Sequence, residues 1–186
     1  MEDLTYEKNI LQKALFELEK HSSQSESLLS SDSAYHDMLI ASYSSFDESV
    51  QKWISSSFDS NPYYPEQLKF QSISGHMLRS KSELLIDTAL FTHKIPFRYE
   101  AALILDDYTF YPDFTVMHPK TGQILYWEHF GLMDDLPYRK NAAHKVQRYI
   151  EHGIFPSDRL ITTYESSDTP FTPQIIEKTI AHFFQS

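Results

Sequence analysis

Apolar residues recur at helical spacing before Pro96 and after Pro137 but at every second position between them, which restricts the chain to folds that pack helices on a sheet. In IPFRYEAALIL, Phe97, Tyr99, Ala101, Leu103 and Leu105 share one face, as in a half-buried strand. Asp106-Asp107 is a turn signal, and YTFYPDFTV reads as a second strand whose Pro112 is tolerated best at a bulge or edge. ILYWEHF is the third strand, reached through the turn sequence His118-Pro119-Lys120-Thr121-Gly122. Upstream, SKSE is a capping box with Ser80 as N-cap and Glu83 at N3, opening a helix through about His93. Downstream, a helix runs from Pro137 to Gly153, which suits a C′ cap, and Asp134-Asp135 suit its N-terminus. RLITTY is a fourth strand and Pro173 to Phe184 a closing helix. The expected class is α/β, a mixed central sheet of about four strands in the order αβββαβ, flanked by helices.

Residues 1–60 differ in character. Leu4, Leu11, Ala14, Leu15 and Leu18, then Leu39, Tyr43, Phe46, Val50 and Trp53, form amphipathic-helix patterns, and 15 serines fall in residues 22–60. Residues 1–60 are therefore expected to be an N-terminal helical arm, facing a partner or a second copy in a homodimer, and 61–186 the main domain. A pattern already helical by its fifth residue suits the end of a longer protein. The arm holds 11 acids and 4 bases against 15 acids and 12 bases in the rest, so the net charge of −10 is mostly N-terminal. Arg139, Lys140, Lys145 and Arg148 follow the third strand with no acid among them, which keeps nucleic acid open as a partner. The lack of cysteine excludes disulfides and thiolate metal sites. No apolar run approaches the roughly 18 residues of a membrane span, so a cytoplasmic protein without membrane attachment is expected.

Each strand of the hairpin YPDFTVMHPKTGQILYWEHFG carries one carboxylate, Asp113 and Glu128, among β-prone neighbours. Such a pair repels and resists burial unless a cation or base neutralises it. Adjacent strands lie about 4.8 Å apart, close enough for both acids to converge on one ion. With the order of elements, Glu83 in SKSE, Pro112-Asp113 in YPDF and Glu128 in WEHF resemble the motif of the PD-(D/E)XK nuclease superfamily over residues 79–165. The run RSKSE…IPFRYE…YPDFT…YWEHFG also resembles a group of uncharacterised bacterial proteins associated with that superfamily. The resemblance implies metal-dependent hydrolysis of a nucleic-acid phosphodiester, with DNA as the expected substrate of an endonuclease or nickase. It implies Mg²⁺ or Mn²⁺ held by Asp113, Glu128 and the backbone carbonyl of His129, with Glu83 nearby or joined through water. Asp113, Glu128, Lys145 and Glu83 are the expected catalytic residues.

The family carries a lysine two residues after the third-strand acid, and Phe130 holds that place here, while His129 points to the other face. Lys145 is the expected replacement, because with Tyr149 at i+4 it stands where some members carry a Gln-x-x-x-Tyr pair; Lys81 and His129 stand in reserve. Lys81, Arg148 and Tyr149 are the expected substrate contacts. Duller roles compete: Asp113 bonded to backbone amides, Glu83 serving its capping box alone, Lys145 a surface lysine, Glu100 paired with a base. Phe130 and the negative net charge also fit a nuclease-like module that binds nucleic acid or a protein without cleaving. A metallohydrolase using His129 with Glu128 is a third class, weakened by the lack of a second well-spaced histidine.

Overall fold

The structure, a computed structural model, describes residues 48–185. The described residues all belong to one compact unit, Phe46–Ser186. The helical pattern of residues 4–20, and that of residues 39–53 up to Phe46, lie outside the described residues.

The described chain is a mixed α/β fold. Its helices are α1 (Glu48–Ser55), α2 (Lys81–Thr92), α3 (Leu136–Glu151) and α4 (Pro173–Phe184). A four-stranded sheet has the order β3-β6-β7-β8, from Phe97–Tyr99, Phe114–Met117, Ile124–Phe130 and Leu160–Tyr164. Its first two pairings are antiparallel, and β7 with β8 is parallel. Two small hairpins accompany it: β1 (Phe70–Gln71) with β2 (Met77–Leu78), and β4 (Leu103–Leu105) with β5 (Tyr108–Phe110). Among the described residues no helix is long and apolar enough to cross a membrane.

The period of two places Leu125, Trp127 and His129 on one face of β7 and Tyr126, Glu128 and Phe130 on the other. On the first face Trp127, Phe114, Val116 and Ile161 pack with Ile86 and Leu90 of α2 and with Ile176, Ile180 and Phe184 of α4. On the second, Tyr126 and Leu160 pack with Tyr149 of α3, joined by Leu103, Leu105 and Phe110 of the distal hairpin. A strand buried on both sides reads as a continuous apolar run, and Glu128 is the one acid in it.

The long first and second strands expected from sequence are each broken. Glu100 adopts a positive φ of 45°, which ends β3, and Tyr111-Pro112-Asp113 opposite it separates β5 from β6. Residues 103–110 consequently pair as a separate ribbon, with the Asp106-Asp107 turn at its tip. A left-handed conformation is unfavourable for a residue with a side chain, and Glu100 is held in it from several directions. Its amide donates to the Asp113 carbonyl (3.0 Å), its carbonyl accepts from Asn61 (3.0 Å), and its carboxylate takes the Arg79 guanidinium at 2.7 and 2.9 Å. The base partner expected for Glu100 is thus Arg79, from the β2–α2 connection rather than a neighbouring strand. Arg79 also donates to the carbonyls of Tyr63 and Tyr64 (both 2.7 Å), and so straps residues 61–64 to the break. Arg79→Ala would leave Glu100 buried without its cation, and we expect a loss of about 3 kcal/mol in urea unfolding, with Arg79→Lys recovering only part because it cannot form the fork.

Within the described residues α1 is tied to the sheet through Arg98. Arg98 of β3 lies 4.2 Å over the Trp53 ring and 4.7 Å over Phe58, and its Nη2 donates to the Trp53 carbonyl and the Ser56 hydroxyl.

Candidate active site

Glu83, Glu128 and Lys145 come from α2, β7 and α3, and Asp113 from the residue just before β6. Phe114 pairs with Trp127 in the β6–β7 ladder, so Asp113, one residue earlier, stands opposite Glu128. The break at Pro112-Asp113 frees the Asp113 side chain from the ladder, and its Oδ2 accepts the His129 backbone N–H at 2.7 Å. The amide-bonded role considered for Asp113 therefore exists, and it is compatible with a carboxylate that still lines a cleft. That cleft, of about 200 Å³, is lined by Asp113, Glu128, Phe130, Tyr138, Asn141 and Lys145 among others.

Glu128 is almost wholly buried, and each of its oxygens has a partner from α3. Lys145 Nζ donates to Oε2 at 2.7 Å and Tyr149 Oη to Oε1 at 2.6 Å. The i, i+4 spacing puts both on the face of α3 that meets β7. Lys145 is accordingly no surface lysine. Its pKa is raised, because the charges of Glu128 and Asp113 outweigh the desolvation that alone would lower it. Asp113 moves the other way for an acid: burial first, then the charge of Glu128, raise its pKa well above the usual carboxylate value, with Lys145 opposing. Two acids share one ammonium, and without a further cation Asp113 is biased toward its neutral form.

Glu83 serves its capping box. The Ser80 hydroxyl accepts from the Glu83 amide (3.1 Å) and donates to Oε1 (2.8 Å), while Oε2 accepts from the Arg79 amide (3.0 Å) and the Tyr99 hydroxyl (2.6 Å). Glu83 does not line the cleft; its charge reaches Asp113 as a minor contribution to the raised pKa. Lys81 is exposed at the start of α2, and Arg148 lies 4.2 Å over the exposed Tyr108 ring. Tyr149 corrects the expectation of a substrate contact: it is fully buried and its hydroxyl is bound to Glu128. Burial first, then the charge of Glu128, raise its pKa, so it stays a neutral donor.

His129 faces the opposite side of β7 from Glu128. Its Nδ1 is 3.0 Å from the Thr163 hydroxyl, its Nε2 is 3.3 Å from Glu165, and its ring packs on Phe171 at 4.3 Å. A metallohydrolase joining the His129 ring to Glu128 is therefore not built here. Burial lowers the His129 pKa, so the ring is neutral at physiological pH.

Tyr138 and Asn141 of the cleft were not singled out by sequence reasoning. The signal was available: Tyr138, Asn141, Lys145 and Tyr149 recur three or four residues apart, a single stripe of α3. Asp135, expected as a cap, positions this stripe by accepting the Tyr138 amide at 2.6 Å.

Among the described residues no cluster of three or more His, Asp or Glu could hold a metal ion. The acidic groups lining the cleft are the carboxyls of Asp113 and Glu128. Mg²⁺ is commonly held by one or two carboxylates, with waters and substrate phosphate completing the shell, so the number and type of donors here fit such an ion. No protein-family model, curated protein or solved structure significantly matches the chain.

Proposed function

We propose that the chain is a metal-dependent phosphodiesterase acting on nucleic acid, a DNA endonuclease or nickase built on the αβββαβ core of the PD-(D/E)XK nucleases. The observation that carries this reading is the juxtaposition of Asp113 and Glu128 at one cleft, with a lysine bonded to Glu128. Mg²⁺ or Mn²⁺ would be held by Asp113, Glu128 and the His129 carbonyl. Such an ion, when bound, polarises the phosphate and acidifies the attacking water.

The chain's own groups divide the remaining work. Tyr149 and Lys145 fix the Glu128 carboxylate in one orientation. Lys145, with its raised pKa, remains an ammonium and is suited to stabilising charge on the phosphate rather than accepting a proton. The exposed bases Arg139, Lys140 and Arg148 on the same helix are suited to the flanking phosphates. A cytoplasmic location, and a partner or homodimer contact through residues 1–60, complete the reading.

One observation favours a second reading, a module that binds without cleaving: both Glu128 oxygens are already bonded within the protein. Supercoiled plasmid incubated with Mg²⁺ or Mn²⁺ separates the two. Wild type is expected to produce nicked or linear DNA, and Glu128→Ala none. No cleavage of DNA or RNA by wild type in either metal, with binding retained, would replace the nuclease by the module.

A further inference from the structure

A second cleft shares Phe130 and Ala142 with the acidic one and has different walls. It measures about 320 Å³, within the range of small-ligand pockets. Phe130, Met133, Val146 and Tyr164 give it apolar sides, and Arg139 and Gln147 bring a cation and an amide. Phe130 and Tyr164 are stacked, with ring centroids 5.4 Å apart and planes 24° from parallel. Phe130 is sealed, 4% exposed, whereas Tyr164 is 48% exposed. The pair is therefore a fixed aromatic platform with one accessible ring, standing next to the carboxylates.

We propose that this cleft is a subsite for one unpaired nucleobase of the strand whose phosphate enters the acidic cleft. The proposal rests on the nuclease reading and deepens it. A base is flat and apolar on its faces, and stacking on an aromatic ring accepts any base because each has a π-face. Arg139 can stack on the base or hold the neighbouring phosphate, and both modes suit a guanidinium. A base can enter such a slot only if it is unpaired or turned out of a duplex, so the favoured substrate is single-stranded or locally unpaired nucleic acid. Phe130 then has a role of its own: at the position where a lysine would face the phosphate, it builds the wall that separates phosphate from base.

The test measures binding of a short single-stranded DNA by fluorescence anisotropy, at low salt in EDTA. A strand of the same length carrying abasic sites and a fully paired duplex serve for comparison. Wild type is expected to bind the base-bearing strand about tenfold more tightly than the abasic one. Tyr164→Ala should abolish that preference by weakening only the base-bearing strand, and Tyr164→Phe, which keeps the ring, should behave as wild type. Equal weakening on both strands, an unchanged preference, tighter binding of the duplex, or no binding would each overturn the subsite. Plasmid cleavage together with an unaltered preference in Tyr164→Ala removes the subsite and leaves the nuclease. Base-dependent binding through Tyr164 without cleavage in any metal removes the nuclease and leaves the subsite.

Discussion

Lys145→Ala protein is expected to cleave plasmid at least about 100-fold more slowly than wild type, the usual effect of removing a positioned charge from a developing anion. Its DNA affinity should change little, because one lost phosphate contact lowers the salt slope by only about one unit. A surface lysine would show neither effect on rate nor on metal response. Lys145 Nζ lies 2.7 Å from a buried carboxylate, so its removal also leaves Glu128 without its cation. Breaking such a pair is destabilising, though by less than for a fully buried one because the Lys145 side chain is 32% exposed, and divalent ion should restore part of that loss. Lys145→Met keeps the apolar stem and separates lost packing from lost charge. Lys145→Arg should recover activity only in part, since the guanidinium keeps the charge but not the compact geometry. Cleavage by Lys145→Ala at the wild-type rate would transfer the role to Lys81 or His129.

Asp113→Asn has the opposite expected sign for stability. Asparagine retains an oxygen to accept the His129 amide, a bond of 2.7 Å in the wild type, and removes the charge that repels Glu128. Without metal at neutral pH the variant should be more stable than wild type in urea unfolding, because the charge that burial and Glu128 disfavour is gone. The pH dependence follows from the direction of the shift. A carboxyl whose folded pKa is raised contributes stability that is fully present below its ordinary value of 3.8 and is lost as pH rises through the raised one. The difference between Asp113→Asn and wild type should therefore be small in acid and grow across that window. Adding Mg²⁺ or Mn²⁺ should raise the melting temperature of wild type and leave the variant unchanged. If the variant melts well below wild type without metal, Asp113 is a structural acid and the metal reading fails.

The elements legible in the sequence are those whose own residues decide them. β7 runs from Ile124 to Phe130, the full ILYWEHF segment, because most of its residues are β-prone and both faces are buried. Ser80 and Glu83 form the box they spell, and Gly153 follows α3 with a φ of 74°, as a C′ residue should. The breaks at Glu100 and Asp113 were not legible, since the alternation through IPFRYEAALIL continues across them. They are imposed by Arg79 and Asn61, which are distant in sequence, and tertiary bonds of this kind leave no local periodicity. The site divides the same way. Asp113 and Glu128 stand out because acids are costly in buried strands, and Lys145 follows from the spacing of α3. The burial of Tyr149 depends on how closely α3 docks against Tyr126 and Leu160, a matter of packing that helix periodicity cannot decide.

The connectivity of the sheet also sets the order in which its charges meet. The β6–β7 hairpin closes through a short turn at Gly122, whereas β8 pairs with β7 only after the whole of α3 has been laid down between them. Loop-closure entropy favours the short connection first. The hairpin that sets Asp113 opposite Glu128 is therefore expected to close before the helix bearing Lys145 docks, which would bring the two acids together ahead of their ammonium. On that order the acid pair acts on the rate of folding as well as on the final stability, and refolding of wild type, but not of Asp113→Asn, should quicken as the pH falls.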